Sequence, residues 1–307
     1  MKKFNIGLLL VVGMLIAFGT IGPASAKSSN ETPSFNLTTE QWTGHNFTFI
    51  ALPADKQSSG YDIYTIDNAA RGFEGDQSAR IPYAKHAGKQ VKVTEVIPFP
   101  AGPNQNEFMV YMTVNDTREK LVGRTMRGQL EGLVLTADLT NAKKQFLGKT
   151  LYPKLRELPG LYVPGSNETP ASVPVPIGSP VTVVDVYAGN QSHEPIWLVV
   201  SFNGEKAVMP IAYSWTNIPV SAWAKTAPWQ EVLFTEDPRL SLGWSHSLWY
   251  QIESGNVEKG MTKGQVMLSW GKPQKSEAND SAWIYGNKKI NFAGDLVHSV
   301  ETITDTH

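Results

Sequence analysis

Apolar and polar residues alternate along much of this chain with a period nearer two than 3.6. In Gln90-Val91-Lys92-Val93-Thr94-Glu95-Val96 two valines alternate with polar neighbours, and Phe108-Met109-Val110-Tyr111-Met112-Thr113-Val114 is a second run of the same kind. A period of two puts successive side chains on opposite faces of a pleated strand, so both segments are predicted as β-strands. Between them Pro98, Pro100, Gly102, Pro103 and Asn104 predict a long turn. The theme occurs twice. Residues 81–96 match 173–186 in a proline-bearing lead, a glycine just ahead of the strand and valines in register. Val110–Asn115 corresponds to Leu198–Asn203, and Gly44–Phe47 to Gly148–Leu151. The repetition predicts two small antiparallel β units, over residues 41–146 and 147–236.

Two stretches interrupt the theme. Leu130, Leu133, Val134, Leu135 and Leu139 fit either a strand or a short helix. Residues 163–176 carry four prolines, which lack the amide donor a sheet interior requires, so they are expected as loop or extended chain. After Asp237-Pro238 the period changes. Ser247 is placed to cap a short helix in which Leu248 and Ile252 share a face and which ends at Gly255. The next helix has the clearest start in the chain: Thr262 and Gln265 have the spacing of a capping box, and Met261 can staple onto Val266. Gly271 and Pro273 stop it. Three strand-like runs follow, Ala282–Gly286, Lys288–Phe292 and Leu296–Val300, joined at Gly286-Asn287 and Gly294-Asp295. Residues 237–307 are therefore expected to form two helices and a three-stranded meander, with Trp283 or Ile284, Phe292 and Val297 buried against the helices.

The run Gly260-Met261-Thr262-Lys263, Gln265-Val266, Gly271-Lys272-Pro273, Trp283-Ile284-Tyr285-Gly286, Phe292, Gly294 and Val297 resembles the SmpA/OmlA (BamE-like) domain of bacterial envelope proteins. The likeness covers roughly residues 240–303; the longer form around Trp244 and Trp249 is similar to uncharacterised bacterial exported proteins. It implies a two-helix, three-strand fold and a role in binding protein or cell-wall material. The fold class expected is mainly β with a C-terminal α+β module: two β units of SH3-like size followed by a BamE-like domain. Candidate interaction residues are Trp244, Trp249, Trp270, Trp283 and Tyr285.

The N-terminus narrows the setting. Lys2 and Lys3, an apolar stretch from Phe4 to Ile21, Gly22-Pro23 and Ala24-Ser25-Ala26 have the order of a cleavable secretory signal peptide, residues 1–26. Lys27 stands where a lipoprotein would carry its acylated cysteine, and the chain has no cysteine at all, so neither a lipid anchor nor a disulfide is expected. Residues 27–40 are polar and predicted to be a flexible leader. Cleavage removes two of 27 basic residues against 28 acidic ones, which leaves a weakly acidic chain without a basic patch and with no nucleic-acid partner expected.

The six histidines show no i+3 or i+4 pairing, so no metal site and no cofactor are expected. Gly243-Trp244-Ser245-His246-Ser247 departs from a nucleophile-elbow pattern at its last position, and its serines are expected as helix caps. The reading is an exported, non-catalytic envelope or extracellular protein that meets another envelope protein or the cell wall and has no membrane anchor after cleavage. Two alternatives stay open. One is a secreted hydrolase of wall or glycan with Trp223, Trp229 and Trp244 as a stacking platform; the other is a proteinaceous inhibitor with an aromatic patch on the C-terminal meander. Five of nine tryptophans fall between Trp215 and Trp249, and they suit either a core or a binding surface.

Overall fold

The computed structural model describes residues 36–99, 107–125, 128–161, 170–218 and 229–303. The expected signal peptide, residues 27–35 of the expected leader, Pro100–Asn104 of the expected turn and Trp223 lie outside the described residues. The fold is mainly β, built from antiparallel sheets.

A seven-stranded sheet comes first, from β1 (Asn46–Phe49), β2 (Tyr61–Thr65), β3 (Arg80–Ile81), β4 (Gln90–Phe99), β5 (Glu107–Val114), β6 (Lys120–Arg124) and β7 (Leu133–Leu135). Its order is β3-β2-β6-β5-β4-β1-β7. The alternation read in β5 becomes strict burial of every second residue, with Phe108, Val110, Met112 and Val114 turned into the core. Strand β4 runs past Val96 through Pro98 to Phe99, so Pro98 pairs with Phe108 instead of opening the turn.

Nearer the middle of the chain come β8 (Thr150–Pro153), β9 (Glu157–Leu158), β10 (Val173–Pro174), β11 (Val181–Gln191), β12 (Glu194–Phe202), β13 (Glu205–Ile211) and β14 (Leu233–Phe234). Five of them form a sheet of order β13-β12-β11-β8-β14, and β9 pairs with β10. Its pairing scheme repeats that of the first sheet: a short leading strand lies between a long strand and the closing strand, and the long strand opens a three-strand meander. The correspondence reaches single hydrogen bonds. The Gly44 amide donates to Val93 and that of Gly148 to Val183, while Val93 and Val183 donate to His45 and Lys149. A register shift follows Val93 in one sheet and Val183 in the other. Trp42 and Phe146, both fully buried, stand just ahead of the two leading strands.

The leucine-rich segment resolves into both of its alternatives: Leu133–Leu135 is strand β7, and Thr136–Phe146 is a helix, α1. Ala142 and Phe146 of α1 pack into the second core with Val181, Val183 and Leu198, together with Ile50, just past β1, and Val134 of β7. The helical part of this segment, assigned by sequence to the first unit, thus covers the second sheet, because its apolar residues complete that core. Residues 36–40 also differ from a flexible leader. Leu37 donates to Thr216, the Asn36 side chain accepts from the Trp215 amide, and Thr39 is buried with its hydroxyl on Gly128.

Two helices, α2 (His246–Glu253) and α3 (Lys263–Trp270), precede a four-stranded antiparallel sheet of β15 (Lys275–Glu277), β16 (Ala282–Tyr285), β17 (Lys288–Ala293) and β18 (Leu296–Thr302). Strand β15 is an addition to the three strands read from sequence. Its polar Lys275-Ser276-Glu277 carries no apolar alternation and is held by pairing with β16. The cap of α2 is Ser245, not Ser247: its hydroxyl accepts from Leu248, which starts the helix two residues early. At α3 the capping box of Thr262 and Gln265 is formed, and Met261 and Val266 are buried in one core.

Candidate functional site

The aromatic residues singled out in the C-terminal segment come together, as a core. Trp249 and Trp283 are 4% and 5% exposed and pack with Ile252, Met261, Val266, Phe292 and Val297. Trp244, Trp270 and Tyr285 lean on that core from its rim. The Trp244 ring lies 5.2 Å from Trp249, and Trp270 meets Tyr285 edge-on at 5.2 Å. Their polar atoms close the chain on itself. The Trp270 indole donates to the Gly255 carbonyl at 2.6 Å, the Tyr285 hydroxyl to the Gly271 carbonyl at 2.9 Å, and the Trp283 indole to Asp280. Gly260 donates to Val297, and Gly294 turns β17 into β18. Trp229 packs 5.2 Å from Phe146 in the second core, whereas Trp244 belongs to the third, so these two rings form no common platform.

Polar groups at the joints are similarly engaged. Arg156, in the loop after β8, donates to the carbonyls of Ile252, Glu253 and Ser269 at the C-terminal ends of α2 and α3. There the guanidinium meets the last-turn carbonyls and the negative ends of two helix dipoles. Buried Asn217 accepts from the Leu130 amide at 2.7 Å and donates to the carbonyls of Leu130 and Leu133 at 2.8 Å, which joins the first sheet to the loop after β13. Asp138, in the first turn of α1, accepts from the Ser214 hydroxyl, while its second oxygen is buried without a hydrogen-bond partner. Burial outweighs the Ser214 hydrogen bonds and pushes its carboxyl up to about 6. Buried His86 lies 3.1 Å from Glu119 and 2.9 Å from the Pro82 carbonyl. Burial pushes the Glu119 carboxyl up, but Lys85 and His86 outweigh it and hold it below the usual range.

A concave site opens at the surface beside β2. A cavity of about 270 Å³ is lined by Leu52, Lys56, Tyr61, Asp62, Arg80 and Glu131, together with Ser59 and Gly60. Two glycines shape its walls. Gly60 has φ +71°, and a Cβ there would sit 2.3 Å from the Ile81 carbonyl oxygen, so only glycine lets β2 approach β3 this closely. Gly132, beside Glu131, has φ +88°, and its Cβ would meet the Tyr61 ring at 2.6 Å. The fully buried Tyr61 anchors the floor by donating to the Ile50 carbonyl at 2.6 Å.

The rim carries both signs of charge. Lys56 and Glu131 form an ion pair of 2.8 Å with both side chains more than half exposed. Arg80 Nε lies 3.5 Å from Asp62, is itself buried and has no hydrogen-bond acceptor among the described residues. Tyr64 donates to Asp62; burial first, then that carboxylate, push its phenol up to about 12, so it stays a donor. No spacing pattern announces this site. Its residues run from Leu52 to Glu131, and only Gly60 ahead of an apolar run marks a turn there.

Among the described residues no helix is long and apolar enough to cross a membrane. Comparison with known proteins gives no match: no family model, no curated protein and no solved structure matches this chain.

Proposed function

We propose that this chain is an exported, non-catalytic binding protein of the cell envelope or the extracellular space. In this reading residues 1–26 direct export, the two repeated β units are SH3-like, and residues 237–307 are a BamE-like α+β module docked on the second of them. The observation that carries it is the open cavity with a mixed-charge rim beside β2, on a body in which Trp249 and Trp283 are buried in the third core. A preformed concavity suits recognition, because little chain entropy is lost when a ligand enters. The repeated pairing scheme and the order of the N-terminal segment support the same reading. The partner is another envelope protein or cell-wall material.

Two measurements test it. Mass spectrometry of the exported protein is expected to find Lys27 at the N-terminus. The protein beginning at Lys27, immobilised and exposed to purified cell-wall material and to solubilised envelope proteins, is expected to retain one of them, with retention lost in Arg80→Gln. Retention of neither overturns the proposal.

A further inference from the structure

We infer that the cavity beside β2 binds a small zwitterion, a free amino acid or short peptide that presents both an ammonium and a carboxylate. The inference rests on the binding reading above and names its ligand class. Size is the first constraint. At about 270 Å³ the cavity falls near the lower end of ligand pockets, roughly 300–1,000 Å³, and suits one or two residues.

Charge is the second constraint. The rim holds two cations, Lys56 and Arg80, and two anions, Asp62 and Glu131. A purely anionic or cationic ligand would meet as much repulsion as attraction, whereas a zwitterion answers both signs.

The pairing already present shows which groups are free to answer. The Arg80 side chain is 26% exposed, and its ion pair with Asp62 is a long one, 3.5 Å at the enclosed Nε. So loose a pair leaves the exposed part of the guanidinium available, and a guanidinium fork matches a carboxylate with two parallel hydrogen bonds. Arg80 is therefore the partner of the ligand carboxylate. Asp62 is restrained by the Tyr64 hydroxyl. Among the described residues Glu131 is ion-paired with Lys56 alone, with side chains 59% and 53% exposed. Such pairs contribute about 0–1 kcal/mol, so a ligand ammonium displaces Lys56 at little cost. Glu131 is the ammonium partner, and Leu52 and Tyr61 line the same cavity.

The test uses the protein from Lys27 onward, labelled with nitrogen-15, titrated with alanine, alanyl-alanine, N-acetyl-alanyl-alanine and alanyl-alanine amide. Amide shifts are expected at Gly60, Tyr61, Asp62 and Glu131 with the free dipeptide, and each blocked peptide is expected to bind about tenfold or more weakly. Alanine against the dipeptide separates a free amino acid from a peptide as the ligand. Arg80→Gln is expected to abolish the preference for the free acid over the amide, and Glu131→Gln the preference for the free amine over the acetylated peptide. Lys56→Gln, at an exposed position, is expected to leave the spectrum folded and to strengthen the ammonium contact. Equal binding of free and blocked peptides, shifts elsewhere, or no shifts at roughly 20 mM ligand would overturn the inference. If those results come with retention on wall material or an envelope protein intact, the ligand class alone fails; if retention is absent as well, the binding reading fails with it.

Discussion

Protonation of Asp138 is expected to stabilise this protein. The carboxyl lies in the first turn of α1 with one oxygen on Ser214 and the other buried without a partner. Burial pushes its native value from 3.8 to about 6. The native state thus holds this proton more tightly than the unfolded chain. The stability it contributes is fully present below about pH 3.8 and is lost as pH rises through about 6. At 1.36 kcal/mol per unit the whole effect is about 3 kcal/mol, of which about 2 kcal/mol lies between pH 4 and pH 7.5. Urea unfolding of the wild type and of Asp138→Asn across that range checks it. The amide cannot ionise, and any fixed cost of its new NH₂ group cancels when the difference between the two proteins is followed against pH. That difference is expected to shift by about 2 kcal/mol in favour of the wild type on acidification. A difference that stays flat within about 0.5 kcal/mol from pH 7.5 to pH 4 would refute the burial argument. Tyr213, whose phenol is pushed up by burial and then by Asp138, supplies a second check: its titration is expected to move down in Asp138→Asn.

Three stability predictions follow from the joints. Asn217→Ala removes three buried hydrogen bonds to Leu130 and Leu133 and is expected to cost about 3 kcal/mol in urea unfolding; a loss under about 1 kcal/mol would mean the loop after β13 is not a structural joint. Arg156→Met withdraws the cation from the carbonyls that end α2 and α3, with an expected cost of about 2 kcal/mol and faster tryptic cleavage at Lys259; unchanged cleavage would contradict its clamping role. Thr262→Ala removes the cap of α3 and is expected to lower stability by about 1 kcal/mol, whereas Ser247→Ala, with Ser245 as the observed cap of α2, is expected to cost less than half of that.

Much of the local structure was legible because it depends on neighbours in sequence. The alternation of Phe108 to Val114 required one buried face, and a capping box needs only Thr262, Gln265 and the amides between them. The repeated strand pattern was legible for the same reason, since Gly44 and Gly148 each stand just ahead of a leading strand and valines recur in register in the long strands that follow. Where the reading missed, a distant partner decided. Lys275–Glu277 has no strand pattern and is a strand only because β16 offers it an edge. Ser245 caps α2 because the chain from Trp244 reaches the third core there. Residues 36–40 are polar enough for a leader and are ordered by Thr216, Trp215 and Gly128, far along the chain.

What the sequence by itself determined is the β-rich character, the alternation of β5 and the start and stop of α3, all set by periods of two or 3.6 and by short-range hydrogen bonds. Only the tertiary structure decided that the tryptophan-rich segment closes a core, since an aromatic ring has the same pattern whether it faces a neighbour or solvent. It alone also brought Lys56, Asp62, Arg80 and Glu131 to one cavity. Charge complementarity among residues this far apart leaves no period in the chain, because it exists only once the loops that carry them have been folded against one another.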